Sequence, residues 1–181
     1  LIGLPDPPLR DDAVVLRAWA ERDASVLVRA CSDPLTRRYT SVPAPYTLED
    51  AWMFIRAGRS NTTLPLAVVA AGDDADVLGA VGLHAVDQDR GRAEIGYWTA
   101  PWARRRGVAT RALSLLSEWA LRDLGIGRLE LFAEPTNLHS QRVAVACGFE
   151  RGDLVRGGIA LRGRRRDVIR FTQGQETGLG L

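Results

Sequence analysis

Apolar positions along the chain change their period several times, and each change marks an element. Residues 14–19 are short and β-branched and read as a strand, whereas residues 21–32 repeat their apolar positions at helical spacing and are predicted to stop at Asp33-Pro34. The stretch through Pro43 and Pro45 reads as loop. Thr47, with Asp50 three residues on, has the spacing of an N-cap and opens a predicted helix to about Gly58, with Trp52, Phe54 and Ile55 as its apolar bulk. Residues 65–71 and 77–86 read as strands around the hairpin signal Gly72-Asp73-Asp74. A turn at residues 87–91 leads into a third strand, 92–100, so an antiparallel meander is expected.

From Gly107 to Leu124 the period becomes helical, with Ala109, Leu113, Leu116, Ala120 and Leu124 on one stripe and Gly125 and Gly127 closing it. Residues 129–133 then read as a strand, 138–147 as a short helix, and 149–155 and 168–172 as closing strands. The strand–helix–strand unit between Ile95 and Ala133 is a crossover, so its two strands should run parallel. The expected fold class is α/β (α+β), a mixed, mostly antiparallel sheet with helices on both faces. One domain is expected over residues 1–172, with a polar, glycine-rich tail over 173–181.

Composition narrows the function. The 181 residues fit one domain, and 46% hydrophobic content excludes wholesale disorder. No apolar run approaches the roughly 20 residues that span a bilayer, so no membrane role is expected. Residues 1–10 lack a basic segment ahead of an apolar one and do not read as a signal peptide. Cys31, Cys147, His84 and His139 are too few and too scattered for a disulfide framework or a metal site, so no metal is expected and a reduced, cytoplasmic setting is the default. All 24 basic side chains are arginines, whose planar forks grip phosphate well, but 22 acids nearly balance them. Global charge therefore does not point to nucleic acid; only local clusters can carry that argument.

The richest cluster is Arg104-Arg105-Arg106-Gly107-Val108-Ala109-Thr110, between a strand and a helix. A helix start offers unpaired N–H groups and a positive dipole end, where extra cations are unfavourable unless an anion joins them. Gly107 and Ala109 remove bulk that would hold a diphosphate away from those donors. The segment is a pyrophosphate cradle in chemistry, yet neither a Walker loop nor a GxGxxG fingerprint.

Arg104-x-x-Gly107-x-Ala109 resembles the [Gln/Arg]-x-x-Gly-x-[Gly/Ala] cofactor motif of the GNAT superfamily of acyl-CoA-dependent N-acyltransferases. Ala93-Glu94-Ile95-Gly96-Tyr97-Trp98 before it is similar to the fourth strand of the ribosomal-protein N-acetyltransferase branch (RimJ/RimL-like). Asn137-x-x-Ser140 and Cys147-Gly148-Phe149 after it are similar to that branch's Asn-x-x-Ser and Gly-Phe segments. The likeness runs from Leu16-Arg17-Ala18-Trp19 to Arg166-Asp167-Val168.

This resemblance implies the GNAT fold, a seven-stranded sheet whose central parallel strands splay apart around the pantetheine arm of acetyl-CoA. Backbone groups of Trp98, Thr99 and Ala100 would pair with that arm, and Arg104, Arg105, Arg106, Gly107, Val108, Ala109 and Thr110 would hold the pyrophosphate. One N–H near Trp98 or Thr99 would face the thioester carbonyl, where negative charge grows in the transition state. In many relatives a tyrosine seven residues after the asparagine is the general acid. Here that position is Ala144, and Ser140 is the remaining hydroxyl on the face shared by 137, 140, 144 and 147. Ser140 is thus a candidate either to donate a proton or to position the pantetheine and thiol, and Asn137 is both the natural N-cap and a cofactor-side residue.

Moving an acyl group to an amine also requires taking a proton from an ammonium. Glu94 is the candidate base: on a strand it shares a face with Gly96 and Trp98, and desolvation there would raise its pKa. The competing role is an exposed glutamate balancing Arg92. His84 reads as a sheet residue able to pair across to Glu94, His139 as surface, and Cys147 as a buried, inert thiol. Trp52, Phe54, Trp98 and Trp102 are candidates for the acceptor pocket or for the core, and Arg162-Gly163-Arg164-Arg165-Arg166 reads as a solvated hairpin tip.

The reading is an acetyl-CoA-dependent N-acetyltransferase acting directly on a primary amine, either a protein N-terminal amine, which the branch likeness favours, or a small-molecule amine. Two alternatives remain: a catalytically silent CoA-binding or regulatory protein of the same fold, and an arginine-rich nucleic-acid-binding module, against which the scattered acids argue. Oligomeric state stays open, with a symmetric homodimer as the commonest arrangement.

Overall fold

A computed structural model describes residues 1–175. Seven strands form one sheet: β1 (Val14–Arg17), β2 (Leu64–Ala70), β3 (Asp73–Asp87), β4 (Arg92–Thr99), β5 (Arg128–Ala133), β6 (Glu150–Leu161) and β7 (Arg164–Gly174). Their spatial order is β1-β2-β3-β4-β5-β7-β6, and every neighbouring pair is antiparallel except β4 and β5. The expected meander and parallel crossover are both present. Five α-helices complete the fold: α1 (Ala24–Cys31), α2 (Pro34–Tyr39), α3 (Leu48–Ala57), α4 (Val108–Arg122) and α5 (Leu138–Ala146).

The stripe of α4 explains its place in the fold. Ala109, Leu113, Leu116 and Ala120 are all buried and pack in the main core with Ile95, Leu129 and Phe171. Leu124, expected on the same stripe, lies past the helix end and is half-buried, because the chain leaves the helix at Asp123. On the other sheet face, α1 and α3 close a second cluster around Leu27, Cys31, Tyr46 and Ala51, with Trp19 and Trp98 packed against it. Among the described residues no helix is long and apolar enough to cross a membrane.

Three expectations need correction. Asp33-Pro34 does not simply end a helix before a loop; it opens α2. The Asp33 carboxylate accepts the Thr36 N–H at 2.9 Å, and Pro34 takes the first helical turn, where its fixed φ is already suitable. The closing strands are also longer than their apolar runs, since polar residues such as Asp153 and Arg164 occupy their exposed positions. Finally, Gln173 and Gly174, expected in the tail, belong to β7 and pair with Leu129 and Arg128. The rest of that expected tail, from residue 176 on, lies outside the described residues.

At Gly79, paired with Thr99 across β3 and β4, an added Cβ would collide with the Trp98 carbonyl oxygen. Gly79→Ala is therefore expected to destabilise the fold by about 2–3 kcal/mol through forced backbone displacement. Thermal unfolding should show a fall of roughly 5–10 °C in Tm.

Candidate active site

The parallel pair forks. β4 and β5 share three rungs, Arg92↔Arg128, Ala93↔Leu129 and Glu94↔Glu130. Past Glu94, β4 continues against β3 as far as Thr99, while β5 turns away and runs with β7 to Ala133. Residues 95–99 therefore present one strand edge to an opening, and such an edge is a template for an extended ligand. Ala100 donates its N–H to Leu78 O at 2.9 Å, toward β3. Alternation along the strand then turns the N–H and C=O groups of Ile95, Tyr97 and Thr99 toward the opening. Of the three residues expected to pair with a pantetheine arm, Thr99 has its N–H on the open side, whereas the N–H groups of Trp98 and Ala100 face β3.

A turn through residues 104–107 leads from this edge into α4. Gly107, the N-cap, has φ +74°, and Arg105 also lies in the left-handed region at φ +61°. No side chain caps α4, its first turn holds no acid, and a Cβ at Gly107 would meet nothing within 4 Å. Val108 and Ala109 are buried beneath the turn and fix the helix start, while Arg105 and Arg106 are exposed beside it. Here the residues fit a diphosphate: open space in front of uncapped N–H groups, flanked by two guanidiniums. Thr110 is half-buried one turn in.

Arg104 is directed elsewhere. Its guanidinium pairs with the Asp33 carboxylate and reaches Thr36 Oγ1 at 3.2 Å. Burial pushes the Asp33 carboxyl up, but Arg104 and the Thr36 N–H and hydroxyl outweigh it and hold the group below the usual carboxylate range. The first arginine of the motif thus ties the cradle to the N-terminus of α2.

Across the opening stands α5. Asn137 caps it, accepting the Ser140 N–H at 3.1 Å, so its expected capping role is met. Tyr97 Oη donates to Ser140 Oγ at 3.0 Å, bridging from β4 to the first turn of α5. Burial pushes the Tyr97 phenol up to about 12, so it stays protonated and able to donate. Ala144 is fully buried in the core. The phenol absent at position 144 is supplied to this region from β4. Sequence reasoning missed Tyr97, because the alternation that grouped Glu94, Gly96 and Trp98 only set Tyr97 on the opposite face, without showing that Ser140 waits there. Cys147 donates its thiol to Thr110 O at 3.3 Å, and burial pushes its pKa up, as befits an inert side chain. His139 is exposed.

The other face of β4 looks onto a cavity of about 320 Å³ lined by Leu27, Tyr46, Asp50, Met53, Phe54 and Trp98, among others. Trp98 stacks on Trp19 at 6.3 Å between ring centroids, and Phe54 meets Trp19 edge-on at 5.8 Å. Of the four aromatics considered for an acceptor pocket or the core, Phe54 and Trp98 line this cavity. Trp52 is absent from this lining and 39% exposed. Trp102 is packing: its indole donates to Val77 O at 3.0 Å, and the Arg29 guanidinium lies 3.9 Å over its ring.

Two carboxylates on this side have opposite character. Asp50 accepts from the Thr47 hydroxyl and N–H, which hold it below its ordinary pKa. Glu94 sits at the last parallel rung and is exposed, as its competing role required; partial desolvation first, then the facing Glu130, nevertheless raise its pKa. His84 is its register partner on β3, yet no hydrogen bond joins their two side chains. The imidazole lies instead near Gly82 and Gly96, and burial lowers its pKa, leaving it neutral at pH 7. Glu94 is four residues from Trp98, about 13 Å along the strand.

Comparison with known proteins follows the same outline. The chain is 28% identical over 172 residues to the uncharacterized N-acetyltransferase p20 of Bacillus licheniformis, covering 91% of this chain and 94% of that protein. Its fold superposes with a TM-score of 0.81 on RimL, a ribosomal L7/L12 α-N-protein acetyltransferase solved with coenzyme A, at 18% identity and covering 92% and 97% of the two chains. A spermidine N-acetyltransferase from Vibrio cholerae, solved with CoA and spermine, gives 0.78 at 18% identity over 91% and 97%. A match to the acetyltransferase (GNAT) domain spans residues 13–150, from the residue before β1 to the first residue of β6, and so takes in the fork, the cradle turn and α5. The chain belongs to the acetyltransferase (GNAT) domain family.

Proposed function

We propose that the protein moves an acetyl group from acetyl-CoA directly onto a primary amine. The observation that carries this reading is the fork between β4 and β5, which opens a strand edge leading straight to the uncapped, glycine-opened start of α4. A pantetheine arm fits the edge as an added strand, with its diphosphate at residues 105–110 and the thioester carbonyl near the Thr99 N–H. The amine enters from the Trp98 cavity on the opposite side, so both reactants meet at the fork, and holding them together supplies much of the rate. Glu94, whose pKa is raised, is the better proton acceptor of the two carboxylates and takes the ammonium proton through water.

Tyr97 and Ser140 order the opening where the thiol leaves. Tyr97→Phe and Ser140→Ala are each expected to cost about tenfold or less in kcat/KM, mostly through a higher KM for acetyl-CoA, because each removes one hydrogen bond. A loss of several orders of magnitude in Ser140→Ala would make Ser140 the proton donor instead.

The acceptor we favour is a protein N-terminal amine, on the likeness of the β4 and α5 motifs to the ribosomal-protein branch; a small amine is the second reading, supported by the size of the cavity. Release of CoA thiol, followed over a panel of small amines and N-terminal peptides, tests the proposal. Turnover with a peptide supports it. Tight CoA binding without turnover of any acceptor would identify a silent CoA-binding protein.

A further inference from the structure

A second cavity, of about 280 Å³, lies next to the acceptor cavity and is walled by Pro34, Arg37, Arg38, Arg162 and Arg166. Four guanidiniums come together here from two distant segments, α2 and the β6–β7 hairpin. That hairpin tip, Arg162-Gly163, turns with φ of 51° and 72°, the geometry of a tight primed turn. The tip is exposed, as expected, and Arg162 in addition donates to Val42 O at 3.0 Å. Val42 itself lines the acceptor cavity, so one hydrogen bond links the linings of the two cavities.

The charge in the second cavity is poorly balanced. Glu134 pairs with Arg166 at 3.2 Å and also acts on Arg38 at longer range, while Asp33 is committed to Arg104. Arg38 lies over the Tyr39 ring, 5.3 Å from its centroid. Among the described residues, no carboxylate comes within ion-pair distance of Arg37, Arg38 or Arg162. Moreover, Arg37 Nε is buried with no hydrogen-bond acceptor. A buried donor without a partner is costly, and the like charges of Arg37, Arg38 and Arg162 around one cavity favour an anion there, with solvent screening the exposed Arg38 and Arg162.

We propose that this cavity binds an anionic group carried by the acceptor, so that the amine acetylated belongs to a molecule with a carboxylate or phosphate a few bonds away; for a protein N-terminus, this means an acidic residue just after the first. The inference rests on the N-acetyltransferase reading above and specifies its acceptor. It also disfavours polyamines, whose further cations would face the same arginines. Carboxylate and phosphate are both matched by guanidinium forks, and the donor's own phosphates are the other source of such an anion.

Steady-state kinetics with paired peptides separates these cases. One peptide carries Asp and Glu after its N-terminal serine, and its partner carries Asn and Gln. The wild-type protein is expected to show a KM about tenfold lower for the acidic peptide, a preference that weakens as salt is raised. In the double variant Arg37→Gln/Arg162→Gln the preference should collapse while the KM for acetyl-CoA holds. Equal KM values for the two peptides in the wild type, or a preference that survives in the variant, overturns the proposal. So does a rise in the KM for acetyl-CoA, which would assign the arginines to the donor phosphates. If no acceptor is turned over, the transferase reading fails first, and calorimetric titration of the acidic peptide still decides the site. Binding tighter to wild type than to the variant supports it, and equal or absent binding overturns it.

Discussion

Gly107→Val is expected to weaken acetyl-CoA binding about 100-fold, a loss of about 2.7 kcal/mol. Two effects act together. At φ +74° a β-branched residue is strained by about 1–3 kcal/mol, which disturbs the first turn of α4. Its methyl groups also project into the space in front of the helix N–H groups, which nothing in the protein fills within 4 Å. A diphosphate displaced from there loses charge-assisted hydrogen bonds of about 1.5–3 kcal/mol each. Calorimetry with CoA measures the loss directly, and thermal unfolding should fall by only a few degrees. Unchanged affinity would remove the cradle from the account and with it the assignment of residues 105–110.

Glu94→Gln is expected to lower kcat by about 100-fold at mildly acidic pH, within the usual range for a lost general base. The sign follows from the raised pKa. In the wild type the carboxylate is lost as pH falls through a pKa above its ordinary value, so kcat declines on the acid side. The variant lacks that limb and depends on solvent to deprotonate the amine, so its deficit should shrink as pH rises toward the amine pKa. A pH–rate profile measures both, and coincident profiles for wild type and variant would take Glu94 out of the chemistry.

Much of this architecture was legible because periodicity reports burial. The α4 stripe, the Thr47–Asp50 capping box and the β2–β3–β4 meander all follow from side-chain pattern and turn chemistry. α2 was not legible, since Asp-Pro marks a helix end and a helix start equally well and only the Thr36 N–H reaching back to Asp33 decides between them. The long β6 and β7 were obscured because outer strands with an exposed face carry charges where a core strand carries valine. At the site, local motifs marked the cradle and the α5 cap, which are contiguous in sequence. They could not mark the Tyr97–Ser140 bridge or the four-arginine cavity, because each joins segments that only the tertiary fold brings together. Arg104 shows the converse limit: the motif places it on the diphosphate, whereas the fold supplies Asp33 as a competing partner.

That Arg104–Asp33 pair has a thermodynamic corollary. Arg104 belongs to the donor's turn, Asp33 caps α2, and α2 runs on through Tyr39 into the Ser41–Val42–Pro43 wall of the acceptor's cavity. A donor that draws Arg104 off Asp33 is expected to loosen that wall, and a donor that leaves the pair intact to keep it in place. Whatever free energy links the two events must be reciprocal, so the second substrate alters the grip on the first by the same factor. Through one side chain the scaffold would thereby couple the affinities of the two substrates, whichever binds first.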